Sequence, residues 1–193
     1  AEFFRNSSDP LLFEMMAASY GSYLARGAGV RERTSIGLPL HYGSTPRAFM
    51  DFRYGEEHPD QFVRVHVPPL SSRTDGALLP VVVVVHGGFW KERWNVDNAA
   101  HTTIAPSLVA SEGPVSYIAV EVEYRRREAA GGGWPGTNED VARALQLLPL
   151  IAQRYAIPMD FRRLALLGHS AGGQLVLWLA EEAARRQAAA EGA

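Results

Sequence analysis

The chain has 193 residues, 47% hydrophobic and 21% charged, with a formal net charge of −2. That balance suits one globular domain and leaves no basic footprint for nucleic acid and no strongly charged face for a membrane. The absence of cysteine excludes disulfides, a thiol nucleophile and thiolate-held zinc.

No apolar run approaches the ~20 residues that a membrane span needs. The opening AEFFRNSSDP lacks the basic start and apolar core of a secretory signal, so a cytoplasmic setting is expected. Lys91 is the only lysine beside many arginines, which reads as compositional bias.

Residues 1–50 read as a partly helical N-terminal extension that packs on a main domain covering 51–193. Asp9-Pro10 can open a helix in which Leu11, Leu12, Met15 and Met16 recur at helical spacing through Tyr20. Gly27-Ala28-Gly29 breaks that pattern. With no preceding strand and no third glycine, it is no dinucleotide fingerprint. His41-Tyr42-Gly43 and Arg53-Tyr54-Gly55 are two similar pieces, too few for a repeat architecture. Phe62 to Val67 alternates as a strand, with Phe62, Arg64 and His66 on one face and the valines on the other. Pro68-Pro69 ends it, and Ser71 to Gly76 reads as a surface loop.

Pro80 to Val85 is an unbroken valine run, suited to a parallel strand covered on both faces. His86-Gly87-Gly88-Phe89-Trp90 follows at once. A helix is expected from Asn98 to Ser111, capped by Asp97 and disturbed at Pro106. Val115 to Tyr124 reads as the next strand. Its Glu121 and Glu123 lie on one face, where pairing with Arg125, Arg126 and Arg127 is expected rather than a metal. After the Gly-rich loop 129–136, Thr137 to Asp140 has the spacing of a capping box. Val141, Leu145, Leu148 and Ala152 form the buried stripe of the helix it opens. Asp140 is assigned to capping, not to catalysis.

Leu164 to Leu167 is a short buried strand, followed by Gly168-His169-Ser170-Ala171-Gly172 and a helical pattern to about Arg186. This is G-x-S-x-G between a strand and a helix. A free serine hydroxyl is a poor nucleophile. On a sharp turn its Oγ stands clear of the sheet, near the unpaired N–H groups and partial positive charge of a helix start. Gly168 and Gly172 are small because such a turn leaves no room beside it, and Gly173 lets the helix start close to the sheet. The final AAAEGA is expected to fray.

Together these motifs resemble the α/β-hydrolases of the esterase/lipase type, in the HGGFW group that includes kynurenine formamidase-like enzymes. HGGFW at 86–90, EYRR with GGGWPGTNEDV at 123–141, and GHSAGG at 168–173 carry the resemblance, which spans about Tyr54 to Ala180. It implies an α/β fold, a mostly parallel sheet with helices on both faces. It also implies Ser170 as nucleophile and an oxyanion hole from the backbone N–H groups of Ala171 and of Gly88 or Phe89, with Gly87 in the turn. Trp90, Trp134 and His169 are candidates to line the acyl pocket; for Trp134, anchoring the loop is an equal alternative. No cofactor or metal is implied, and the partner is a small-molecule ester or amide. Neither nucleic acid nor membrane is expected as a partner, and the oligomeric state stays open.

The family order places an acid and then a histidine after the serine. The residues after Ser170 contain no histidine and no aspartate, and Glu181, Glu182 and Glu191 belong to a surface helix or the tail. His41, His58, His66, His86, His101 and His169 are all poor substitutes by position. The resemblance therefore implies a hydrolase cut short at its C-terminus, with the Leu164 strand left as a sheet edge. Three functional readings stand: a carboxylesterase-like serine hydrolase weak or inactive as this chain, an arylformamidase-like amide hydrolase, and a non-catalytic pseudoenzyme or fragment. A dinucleotide-binding fold is disfavoured, because GHSAGG lacks G-x-G-x-x-G and no acidic residue follows a next strand.

Overall fold

The computed structural model describes residues 35–36, 49–68, 76–100, 102–111 and 114–191. The expected N-terminal helix, Gly27 to Gly29, His41 to Gly43, residues 71–75 and His101 lie outside the described residues.

Six described strands form one mixed sheet: β1 (Ser35–Ile36), β2 (Phe49–Arg53), β3 (Phe62–His66), β4 (Leu79–Val85), β5 (Ile118–Val122) and β6 (Met159–Gly168). Their order is β1-β2-β3-β5-β4-β6. The first three and β5 pair antiparallel, whereas β5, β4 and β6 run parallel. Among the described residues the helices are α1 (Ile104–Val109), α2 (Gly136–Arg154) and α3 (Ala171–Glu191).

The valine run is central because both its faces are covered. Val81, Val83 and Val85 pack with Val141, Leu145 and Leu148 of α2 and Leu175 of α3. Val84 packs with Ala105 of α1 on the opposite face, where Val82 joins it. Each fully buried valine contributes roughly 1.5–3 kcal/mol before its ordering entropy. This is a partial α/β-hydrolase fold: helices on both faces of a sheet whose parallel part is β5-β4-β6. Within it, β6 pairs only with β4 and forms the expected edge.

The details correct several expectations. The helix expected over 98–111 is only α1, with Thr103 at its N-cap. Asp97 is drawn away from capping by a charged partner, the Arg64 Nη1 at 2.5 Å. Pro106 sits in the first turn of α1, where its missing N–H has no intrahelical use. The strand expected over 115–124 begins at Ile118, which is also its first residue paired with β4. Thr137 does not cap α2, whose N-cap is Pro135. Its hydroxyl instead donates to the Arg125 carbonyl at 2.5 Å and accepts the Gly133 N–H at 3.0 Å. A carbonyl from another segment outcompetes the local cap. Helix α3 runs through most of the alanine-rich tail, in keeping with the helix propensity of alanine. Strand β2 escaped sequence reading because its buried residues, Phe49 and Phe52, are three apart and show no two-residue alternation.

Candidate active site

The site is built by a register. Val85, the last residue of β4, is the Cα partner of Gly168, the last residue of β6. His86-Gly87 and His169-Ser170 therefore leave adjacent parallel strands side by side. The crevice outside the carboxyl ends of such strands is where α/β sheets bind ligands.

Ser170 is exposed, with φ +53°, and α3 starts at the next residue. That left-handed conformation is costly for a non-glycine residue and is met where a site demands it. The Gly172 N–H donates to the His169 carbonyl at 2.9 Å and the Gln174 N–H to the Ser170 carbonyl at 3.2 Å. A Cβ on Gly172 would stand 2.0 Å from the Val85 carbonyl oxygen, and one on Gly168 2.3 Å from the Gly172 carbonyl oxygen. Gly173 has more room than expected, with 3.3 Å to its nearest neighbour.

The turn after β4 meets this elbow directly. A Cβ on Gly87 would lie 3.1 Å from the Ser170 Cβ. Gly88 has φ +119° and faces the Trp94 ring. Phe89 and Trp90 follow with φ +56° and +54°, and the Lys91 N–H donates to the Gly88 carbonyl at 3.0 Å. Two positive φ values inside a four-residue hydrogen-bonded turn define type I′. Among the described residues, the N–H groups of Gly88, Phe89 and Ala171 have no acceptor. Free amides thus flank Ser170 from both the turn and the helix start, an arrangement able to receive a developing negative oxygen.

Of the pocket candidates, Trp90 packs against the main core. His169 is exposed beside Ser170. Trp134 is 73% exposed and stands edge-on to Trp178 at 6.2 Å, on the flank of α3. Trp178 lies eight residues after Ser170, about 12 Å along a helix at 1.5 Å per residue.

A buried layer of charge supports the turn, and of it the sequence disclosed only the Glu123–Arg126 pairing. Glu121 pairs with His66 at 2.6 Å, and Glu123 with His86 at 3.1 Å and with Arg126. The expected pairing of these glutamates with Arg125 and Arg127 is corrected. Arg125 is held by Asp140 through Nε and Nη2, both at 2.8 Å, and Arg127 pairs with Glu128. Asp140 is fully buried and also accepts from the Arg125 N–H and from Gln61. It is thus an anchor between strand end and helix, not a cap. Its hydrogen bond raises the Arg125 pKa further.

His86 is nearly inaccessible, and burial pushes its pKa down to about 4. Its Nδ1 faces the Gly87 carbonyl at 2.8 Å while Nε2 faces Glu123. The neutral ring carries a single N–H, so it donates to one of these acceptors at a time. This is a structural histidine, as its position in the motif suggests. Among the described residues, no histidine or carboxylate hydrogen-bonds the Ser170 hydroxyl. No group of three or more His, Asp or Glu among the described residues is placed to hold a metal.

A protein-family model described as BD-FAE, an α/β-hydrolase-type esterase domain, matches residues 69–191. The chain belongs to the BD-FAE family. Both glycine turns and the whole parallel part of the sheet fall inside that BD-FAE match.

Several solved structures are similar to this chain at low identity. The carboxylesterase Cest-2923 from Lactobacillus plantarum WCFS1 is 17% identical, with a TM-score of 0.48 over 77% of this chain and 44% of its own. Ester-hydrolase EH1AB1 from the Lake Arreo metagenome is 20% identical, with a TM-score of 0.48 over 95% and 49%. The acetyl ester-xyloside bifunctional hydrolase from Caldicellulosiruptor lactoaceticus is 19% identical, with a TM-score of 0.43 over 75% and 42%. This BD-FAE chain spans less than half of the length of each. No curated protein matches it significantly in sequence. No helix among the described residues is long and apolar enough to cross a membrane.

Proposed function

We propose that this chain carries the nucleophile and oxyanion-binding part of a serine hydrolase acting on small carboxylic esters or amides. Ser170 Oγ attacks the carbonyl carbon and gives its proton to a base that the described residues do not supply. The carbonyl oxygen becomes an oxyanion, held by the N–H groups of Ala171 and of Gly88 or Phe89. Collapse expels the alcohol or amine with a proton, and water then releases the acid from the acyl-enzyme. The observation that carries this reading is the Val85–Gly168 register, which sets the glycine turn against the exposed serine. A formamidase-like preference within this class rests on HGGFW alone.

A binding role without turnover is the second reading, favoured by the absence of a base on the Ser170 hydroxyl among the described residues. Loss of a triad base alone lowers kcat about 10⁶-fold. A fluorophosphonate probe with mass mapping separates the two. Labelling at Ser170, and p-nitrophenyl acetate hydrolysis that disappears in Ser170→Ala, is the result expected of a competent elbow. An unlabelled Ser170, with hydrolysis equal in Ser170→Ala, establishes the non-catalytic reading. An N-formyl arylamine assayed beside the ester tests the amide preference.

A further inference from the structure

We propose that Glu123 is the positioning residue of the oxyanion turn, clamping residues 86 and 96 so that the amides between them stay fixed against Ser170. The proposal rests on the serine-hydrolase reading above and adds a residue that this reading does not use.

Glu123 follows β5 and is 1% exposed. Its Oε1 accepts from Arg126 and faces the His86 ring at 3.1 Å, while Oε2 accepts the Val96 N–H at 2.8 Å. His86 opens the turn segment and Val96 closes it. One carboxylate thus grips both ends of a loop that contains every proposed oxyanion donor except Ala171. The Arg126 guanidinium supplies the countercharge and passes the link on to Asp60 at 2.7 Å.

The neighbours of Glu123 extend the clamp. The Tyr124 ring stacks on His86 at 4.3 Å, and its hydroxyl donates to the His86 carbonyl at 2.7 Å. The Arg127 N–H donates to the Trp90 carbonyl at 3.0 Å, and Glu128 accepts the Glu92 N–H at 3.1 Å. Residues 123–128 are therefore a template on which 86–96 is laid. A template is needed because Gly88, Phe89 and Trp90 all hold positive φ, a path that the turn would leave if untied. Glu123 touches no substrate in this scheme and acts through the turn.

The test uses the full chain, with Glu123→Gln and, as a milder change that removes only one hydroxyl, Tyr124→Phe. Two quantities are read: amide hydrogen exchange by segment, and the fluorophosphonate labelling rate at Ser170. Positioning predicts faster exchange in 86–96 with 79–85 and α2 unchanged. It also predicts labelling slower by on the order of ten- to a hundredfold, with the probe's reversible affinity retained. Glu123→Asp should recover part of both. Exchange and labelling unchanged in folded Glu123→Gln overturn the proposal and leave Ser170 standing. Faster exchange confined to 86–96 in a chain that never labels supports the clamp and overturns the serine reading. If Glu123→Gln loosens the whole sheet, Glu123→Asp, which keeps the charge and shortens the reach, decides: an effect confined to 86–96 supports the clamp, and none overturns it.

Discussion

Gly87 lies so close to Ser170 that a Cβ placed on it would come within 3.1 Å of the serine Cβ and 2.4 Å of the His169 carbonyl oxygen. Backbone stands on the far side of that second contact and cannot rotate away. Gly87→Ala must push the turn off the elbow. The expected cost is about 1–3 kcal/mol of stability, together with labelling at Ser170 at least tenfold slower. Urea unfolding and probe kinetics check both. An unchanged labelling rate would mean that the turn's distance from Ser170 is irrelevant to reactivity.

Phe89 holds φ +56° with 71% of its surface exposed. Asparagine tolerates that conformation better, and type I′ turns favour it. Phe89→Asn should raise unfolding free energy by about 0.5–1 kcal/mol. A loss larger than 1 kcal/mol in urea titration would show that the phenyl ring anchors the turn.

Asp140 accepts four hydrogen bonds, three of them from Arg125, in a fully buried position. Asp140→Ala leaves a buried guanidinium without its partner and should cost about 3–5 kcal/mol. Adding Arg125→Met should recover part of that loss. The double-mutant cycle should give a coupling above about 1 kcal/mol; strict additivity would refute the assigned pairing.

His86 gives a pH signature. Its folded pKa of about 4 lies below the 6.5 of a free histidine. Between those values the unfolded chain binds the proton and the folded chain does not, so stability rises with pH. The penalty is absent above pH 6.5, grows as pH falls, and saturates below pH 4 at about 3 kcal/mol. Urea midpoints from pH 7 to 4 should fall along that window, and His86→Gln should flatten the slope. Parallel slopes in both proteins would remove His86 as the cause.

Leu177 is 73% exposed on α3 and Leu167 37% exposed on β6, the edge strand. Open edges with apolar neighbours invite association. Leu177→Lys should change stability by less than about 0.5 kcal/mol and lower concentration-dependent light scattering. Equal scattering would exclude Leu177 as the source.

The sequence by itself determined the pieces whose rules are local. A run of valines suits a strand covered on both faces, and glycines at 87, 88, 168 and 172 mark turns where a Cβ does not fit. The strand–elbow–helix order followed from those rules, whereas the edge position of β6 was expected only from the family resemblance. Tertiary structure alone decided what faces what. His86 and Glu123 are 37 residues apart, His66 and Glu121 55, and Gln61 and Asp140 79. Such pairs form because β5 lies between β4 and β3, because α2 packs on the sheet, and because buried charges must find partners. Sheet order and register set those distances, and neither leaves a trace in the spacing of residues along the chain.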